Sequence, residues 1–175
     1  MALLFEPARP EHAKAILEMR NASAQDLVKR LGPGHWGGNS RIQSIRERIE
    51  LGNPAALRPK TLFVATREGE AVGSLAVNTW PPGFWKRSLW QDPKAIGAGV
   101  FDLVVFPHLQ GQGIGRFLME GVEAKAQEAD IEWVRLDAYA DNPLSNGFYQ
   151  ALGYEDRGRI DVHGVELVLY EKKVL

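Results

Sequence analysis

The chain has 175 residues, 45% of them hydrophobic and 25% charged, the composition of a soluble globular protein with one well-buried core. Its 21 Lys and Arg nearly balance 22 Asp and Glu, for a formal net charge of −1, so no global field draws in nucleic acid or an anionic membrane. The lack of cysteine excludes disulfides, thiolate metal sites and a cysteine nucleophile.

The opening apolar run, MALLF, is cut by Glu6 and Pro7 and is too short for a signal segment or a membrane span. The expected location is the cytoplasm, with neither membrane nor nucleic acid as a partner. Next come a short strand, a Pro-marked turn and a helix carrying Ala13, Ile16, Leu17, Ala24, Leu27, Val28 and Leu31 near the 3.6-residue period. After the break GPGHWGGN, Ser40 and Gln43 suggest a capping box for a second helix with Ile42, Ile45 and Ile49 on one face, ended by Gly52.

TLFVATREGEAVGSLAV reads as a hairpin around Gly69. The insert from Asn78 to Gly99 is rich in Pro, Gly and Trp, and a loop of that length in a compact domain is a candidate wall or lid. The strand GVFDLVVF runs into QGQGIGR and then a helix with Ile114, Phe117, Leu118, Gly121, Val122 and Ala126 on one face. EWVRLDAYA is the next strand. Asn142 suits the cap of a helix with Pro143 at its first position and Leu144, Phe148 and Leu152 facing inward, and Gly153 ends it. The last stretch is another hairpin. The order predicts one mixed α/β domain over residues 1–175, without repeats or linkers.

Gly111, Gly113 and Gly115 alternate at a strand-to-helix junction, a costly choice unless the backbone turns tightly or a ligand approaches it closely. A Walker phosphate loop would need a Lys and a hydroxyl that are missing, and a dinucleotide fingerprint would put its third glycine where Arg116 stands. Two readings remain. One is a phosphate-bearing ligand on the free N–H groups and positive end of the helix, with Arg116 nearby. The other is a tight turn that binds nothing.

The run from Gln110 through Gly111, Gln112, Gly113 and Ile114 to Gly115 resembles the Q/R-x-x-G-x-G/A motif of the GNAT superfamily of N-acetyltransferases. Downstream, DAYADNPLSNGFYQALGYE resembles that superfamily's second signature, an Asn, an aromatic-Tyr pair and a Leu-Gly-aromatic. The resemblance implies a mixed α+β fold whose central sheet, mostly antiparallel, is flanked by helices and splays open between two strands at the coenzyme site. It implies acetyl-coenzyme A as co-substrate, without a metal. The coenzyme would be held along Leu103, Val104 and Val105 of the fourth strand, by Gln110, Gly111, Gln112, Gly113, Ile114, Gly115 and Arg116, and by Asn142. The implied activity is acetyl transfer to a primary amine of a small molecule or protein, by direct attack in a ternary complex. The alternative is a non-catalytic acyl-coenzyme A binding or sensing module.

A lysine-like amine, pKa ~10.4, costs about 4.6 kcal/mol to neutralise at pH 7, so a base, a water relay or a desolvating pocket must assist. Tyr149 matches the superfamily's general acid for the departing thiolate, and a phenol is protonated at neutral pH; its other reading is a core aromatic. Asp137 matches a carboxylate implicated in amine activation in some ribosomal-protein acetyltransferases, with Asp102 and His108 as rivals. The acceptor region is expected around GHWGG and the loop bearing Trp80, Phe84, Trp85 and Trp90. These aromatics could line a pocket, cover the sheet edge or permit a homodimer. His12, His35, His108 and His163 show no metal-ligand spacing.

Overall fold

The computed structural model describes residues 2–35 and 40–175. The chain runs β1 (Leu4–Pro7), α1 (Ala13–Leu31), α2 (Ile42–Leu51), β2 (Thr61–Arg67), β3 (Glu70–Asn78), β4 (Gly97–Val105), α3 (Ile114–Glu128), β5 (Trp133–Tyr139), α4 (Pro143–Ala151), β6 (Glu155–Val162) and β7 (Val165–Lys173). The strands form one seven-stranded sheet in the order β1-β2-β3-β4-β5-β7-β6. Only β4 and β5 pair in parallel. The sheet is therefore mixed and mostly antiparallel, as the resemblance implies.

Side chains of a strand alternate between faces, and β2 and β3 are apolar on both. Leu62, Val64 and Ala76 pack with Ile16 and Met19 of α1 and Ile45 of α2. Phe63, Leu75 and Val77 face the other way, onto Leu118, Met119 and Val122 of α3. Each fully buried aliphatic side chain contributes roughly 1.5–3 kcal/mol, so helices clamp the sheet from opposite sides.

The sheet opens at its middle. β4 and β5 pair from Gly97 with Trp133 to Val100 with Leu136, although β4 continues to Val105 and β5 to Tyr139. A bulge in β4 accompanies the parting: Ala76 pairs with Phe101 and Ser74 with Val104, one extra residue on the β4 side. Asp102 lies within it at φ 54, a left-handed conformation that Asp tolerates better than most residues. A bulge bends its strand and re-aims the side chains beyond it.

Three local expectations change. No capping box forms at Ser40: α2 begins at Ile42, after Arg41, without a side-chain cap, and the Gln43 amide bonds Glu47 instead. Leu144 does not face inward but is 64% exposed; it stands in the first turn of this short helix, whose buried residue is Tyr149. Asn142 precedes α4 as expected, but its side chain makes no capping bond. Among the described residues, no helix is long and apolar enough to cross a membrane.

Candidate active site

The glycine turn owes its shape to two positive-φ residues. Gly111 (φ 79) and Gly113 (φ 81) occupy the left-handed region, which costs an L-residue roughly 1–2 kcal/mol. A Cβ on either would meet nothing within 4 Å, whereas one on Gly115 would come within 3.2 Å of the Phe148 ring. Gly113 is the N-cap of α3, so the open space above the turn adjoins the helix's unpaired N–H groups.

That space is a cavity of about 500 Å³ running from α3 to α4. Of the residues predicted to hold a coenzyme, Leu103, Val104, Val105, Gln110, Gly111, Gly113, Ile114, Gly115, Arg116 and Asn142 line it. Gln112 is not among its walls; its side-chain oxygen accepts a bond from Arg67 at 3.2 Å. Ser23, Asp26 and Arg30 of α1 complete the far wall, and Arg30 donates to Asp26 at 2.8 Å. No local motif announces these three, because α1 reaches the turn only through the packing of its other face.

A second cavity, of about 670 Å³, lies on the other side of the parted strands. Its walls include Asp137 and Tyr139 of β5, Phe101 and Asp102 of β4, Lys60, and Trp80 and Phe84 of the long loop. Five residues, Leu27, Leu103, Asn142, Ser145 and Tyr149, line both cavities. The two spaces therefore meet where β4 and β5 separate.

Tyr149 is buried at this junction, its ring against Phe148, Tyr154 and Tyr170. Burial, and secondarily the Asp137 carboxylate, push its pKa well above that of a free phenol. The hydroxyl is thus protonated throughout the working pH range. Asp137 accepts a 2.6 Å bond from the Trp85 indole N–H. Desolvation raises its pKa, with Asp102 adding to the rise and the Trp85 bond and Lys60 opposing it. Asn142 is buried, and its side-chain oxygen has no hydrogen-bond partner among the described residues. The cap is organised instead by Asn146, whose amide donates to the carbonyls of Tyr139, Ala140 and Asn142.

The rival bases fare differently. Asp102 is engaged by Arg20, Arg48 and Lys60 at 3.3–3.5 Å. His108 is exposed against Phe106, outside both cavities. The aromatic loop divides its duties. Trp85 and Trp90 are buried with Leu169, and Trp85 stacks on Phe101 at 5.3 Å. Trp80 and Phe84 remain exposed. Of GHWGG, Trp36, Gly37 and Gly38 lie outside the described residues. His35 bonds Asp141 at 2.8 Å and the Gly32 carbonyl at 3.2 Å. Among the described residues no group of three or more His, Asp or Glu could hold a metal ion.

A buried ion network fixes the loop. Glu171, with 0% exposure, meets Arg135 at 3.1 Å and Arg157 at 2.8 Å and accepts the Gln91 N–H at 2.6 Å. Arg135 also donates to the carbonyls of Asp92 and Ala95. The sequence signals nothing of this, since its members come from β5, β6, β7 and the loop.

The sheet is thus parted between two parallel strands, with a glycine-capped helix on one side and a second cavity on the other. The model of the acetyltransferase (GNAT) family matches residues 34–154, more than half the chain, and the chain belongs to this family; it is an acyltransferase. It is 28% identical over 172 residues to the uncharacterized N-acetyltransferase YesJ of Bacillus subtilis (strain 168), covering 96% of this chain and 88% of the relative. A crystal structure of an N-acetyltransferase from Staphylococcus aureus Mu50 superimposes with a TM-score of 0.74 at 16% identity, covering 100% of both chains. PaiA N-acetyltransferase of Thermoplasma acidophilum, solved in complex with coenzyme A, gives a TM-score of 0.72 at 14% identity, with 99% of each chain covered.

Proposed function

We propose that this chain is a single-domain cytoplasmic N-acetyltransferase that carries the acetyl group of acetyl-coenzyme A to a primary amine, without a covalent enzyme intermediate. The observation that carries this reading is the meeting of the two cavities at Tyr149. The α3-side cavity takes the donor, with its phosphates toward the amides of the glycine turn and Arg116 beside them, and the parted end of β4 offers backbone groups to the arm. The open space over Gly111 and Gly113 fits a ligand lying directly on the backbone.

The acceptor enters from the loop side. Its nitrogen attacks the acyl carbonyl carbon, the N–C bond forms as the C–S bond breaks, and Tyr149 delivers its proton to the departing sulfur. Asp137 accepts the proton that the amine loses, directly or through water; burial, which raises its pKa, makes it a stronger base than a solvated aspartate.

The test is thermal unfolding with acetyl-coenzyme A against ATP and NAD. Donor at ~100 times its dissociation constant adds about 2.7 kcal/mol of stability, and ATP and NAD leave the transition in place. Transfer to an amine is then monitored by thiol release, which Tyr149→Phe suppresses. A donor that gives no shift removes the reading; full turnover by Tyr149→Phe removes the acid.

A further inference from the structure

The loop-side cavity has an electrostatic character of its own. Four charged side chains meet at β4: Lys60 and Asp102, which line the cavity, and Arg20 of α1 and Arg48 of α2, which reach Asp102 without lining it. All three cations converge on one atom, Asp102 Oδ2, with Lys60 Nζ at 3.3 Å, Arg20 Nη2 at 3.4 Å and Arg48 Nη1 at 3.5 Å. Among the described residues this is a cluster of three positive charges on a single carboxylate, and Asp137, within Coulombic reach of Lys60, is the other acidic residue on the cavity wall. Arg20 is only 5% exposed. Its Nη2 contact with Asp102 lacks hydrogen-bond geometry, and neither Nη2 nor Nε has a hydrogen-bond partner among the described residues. Burial and the nearby Arg48 both disfavour its charge, while Asp102 supports it. A buried guanidinium so poorly satisfied is costly; its charge acts on the cavity through space, and Lys60 is the cation of the cluster that stands on the cavity wall.

The aromatic walls point the same way. Two of the cavity's aromatic faces already carry the protein's own cations, Lys60 over Phe101 at 5.0 Å and Arg58 over Trp80 at 5.5 Å. A polycationic amine would meet these charges beside it. Asp137, which shares this cavity and feels both Lys60 and Asp102, is left for the amine end.

We infer that the acceptor is a small molecule carrying both a primary amine and an anionic group, a carboxylate or a phosphate, with the amine toward Asp137 and the anion toward Lys60 at the Asp102 cluster. This rests on the loop-side cavity being the acceptor site.

The experiment compares matched pairs. In turnover, phenylalanine is set against phenethylamine and phosphoethanolamine against ethanolamine, with spermidine as the polycation. The anion-bearing member of at least one pair is favoured in kcat/KM by about tenfold or more, the scale of one charge-assisted contact. Preference in the first pair assigns a carboxylate, in the second a phosphate. In Lys60→Met the ratio collapses toward one, and in Lys60→Arg it returns. Equal use within both pairs, or spermidine as the best acceptor, overturns the inference.

The reaction products give a readout independent of catalysis. By calorimetry, N-acetylphenylalanine is set against N-acetylphenethylamine and N-acetylphosphoethanolamine against N-acetylethanolamine. The anionic member of the preferred pair binds more tightly to the parent protein, and the difference is lost in Lys60→Met. Indistinguishable affinities in both pairs, or no binding at millimolar concentration, overturn it. If discrimination survives in a protein that acetyl-coenzyme A does not stabilise, the anion site stands and the donor reading fails. Acetyl transfer without discrimination is the converse.

Discussion

The two cavities that meet at Tyr149 are built by opposite means. Half of the α3-side cavity's lining comes from one segment, Leu103 to Arg116, shaped by a bulge and two positive-φ glycines, with α4 and α1 as the other walls. The loop-side cavity is assembled from the end of α1, Lys60, the aromatic loop, two strands and the β6–β7 region, and is held by ion pairs between residues far apart in sequence. Backbone recognition needs little side-chain chemistry and suits a ligand common to a whole family. Side-chain recognition can differ from one relative to the next without disturbing the turn.

The sharpest way to test the division is at the junction itself. Tyr149→Phe is expected to lower kcat by about 10²–10⁴, the usual range for losing a general acid, while the dissociation constant of acetyl-coenzyme A stays within about twofold; steady-state kinetics and calorimetry separate the two effects. Next in size is Glu171→Ala, which leaves Arg135 and Arg157 facing each other without their buried partner. Removing one member of a buried charged group costs roughly 3–5 kcal/mol, read from urea denaturation. It also frees the aromatic loop, so acceptor KM rises more than donor KM.

Gly113→Ala breaks the other side. The protein offers a Cβ open space there, so the internal cost is the backbone term of about 1–2 kcal/mol. A fall in acetyl-coenzyme A affinity larger than that penalty accounts for, in a protein that still folds, shows that the donor occupies the space. Unchanged affinity would return the glycines to a purely structural role.

The smallest effect on stability, and the one of opposite sign, belongs to Asp137→Asn. The amide can still accept the Trp85 N–H, while the buried charge is gone. Because burial raises the folded-state pKa of Asp137, the native state holds more protons than the unfolded chain from about pH 3.9 upward, to the raised folded value. Over that window the parent loses stability as pH rises, and above it the loss is constant. The variant therefore gains on the parent between acidic and neutral pH, as melting curves at several pH values will show. Its pH–rate profile loses the ascending limb if Asp137 is the base.

Much of the fold was legible because it is written in local periodicity. The continuous apolar run from Leu62 to Ala65, the helical spacing of Ile114, Leu118 and Val122, and the glycines at the β4–α3 turn each specify their element from within a few residues. Misreadings arose where packing overrode a local signal. Ser40 and Gln43 have the right types for a capping box, but α2 starts beyond Ser40. Leu144 has the right spacing for a core position, but it is exposed and lines the α3-side cavity instead. Asn142 satisfies the pattern of a cap, yet its amide oxygen is left at the junction of the cavities while Asn146 gathers the carbonyls. The loop from Asn78 to Gly99 offered two readings, packing and pocket wall, and the structure assigns each to a different pair of aromatics.

The sequence by itself determined the order of elements and the glycine-capped helix, because each depends on residue order within a short segment; the class of fold and the candidate acid Tyr149 were what the resemblance of two such segments implied. Only the tertiary structure decided what surrounds Asp102 and Asp137, which wall of the second cavity each aromatic forms, and where α1 contributes. Those arrangements depend on Coulombic and hydrogen-bond partners far apart in the chain, such as Arg48 with Asp102, Trp85 with Asp137 and His35 with Asp141, which are separated by 54, 52 and 106 residues. Charges act through space rather than along the chain, and no periodicity records which of them will meet.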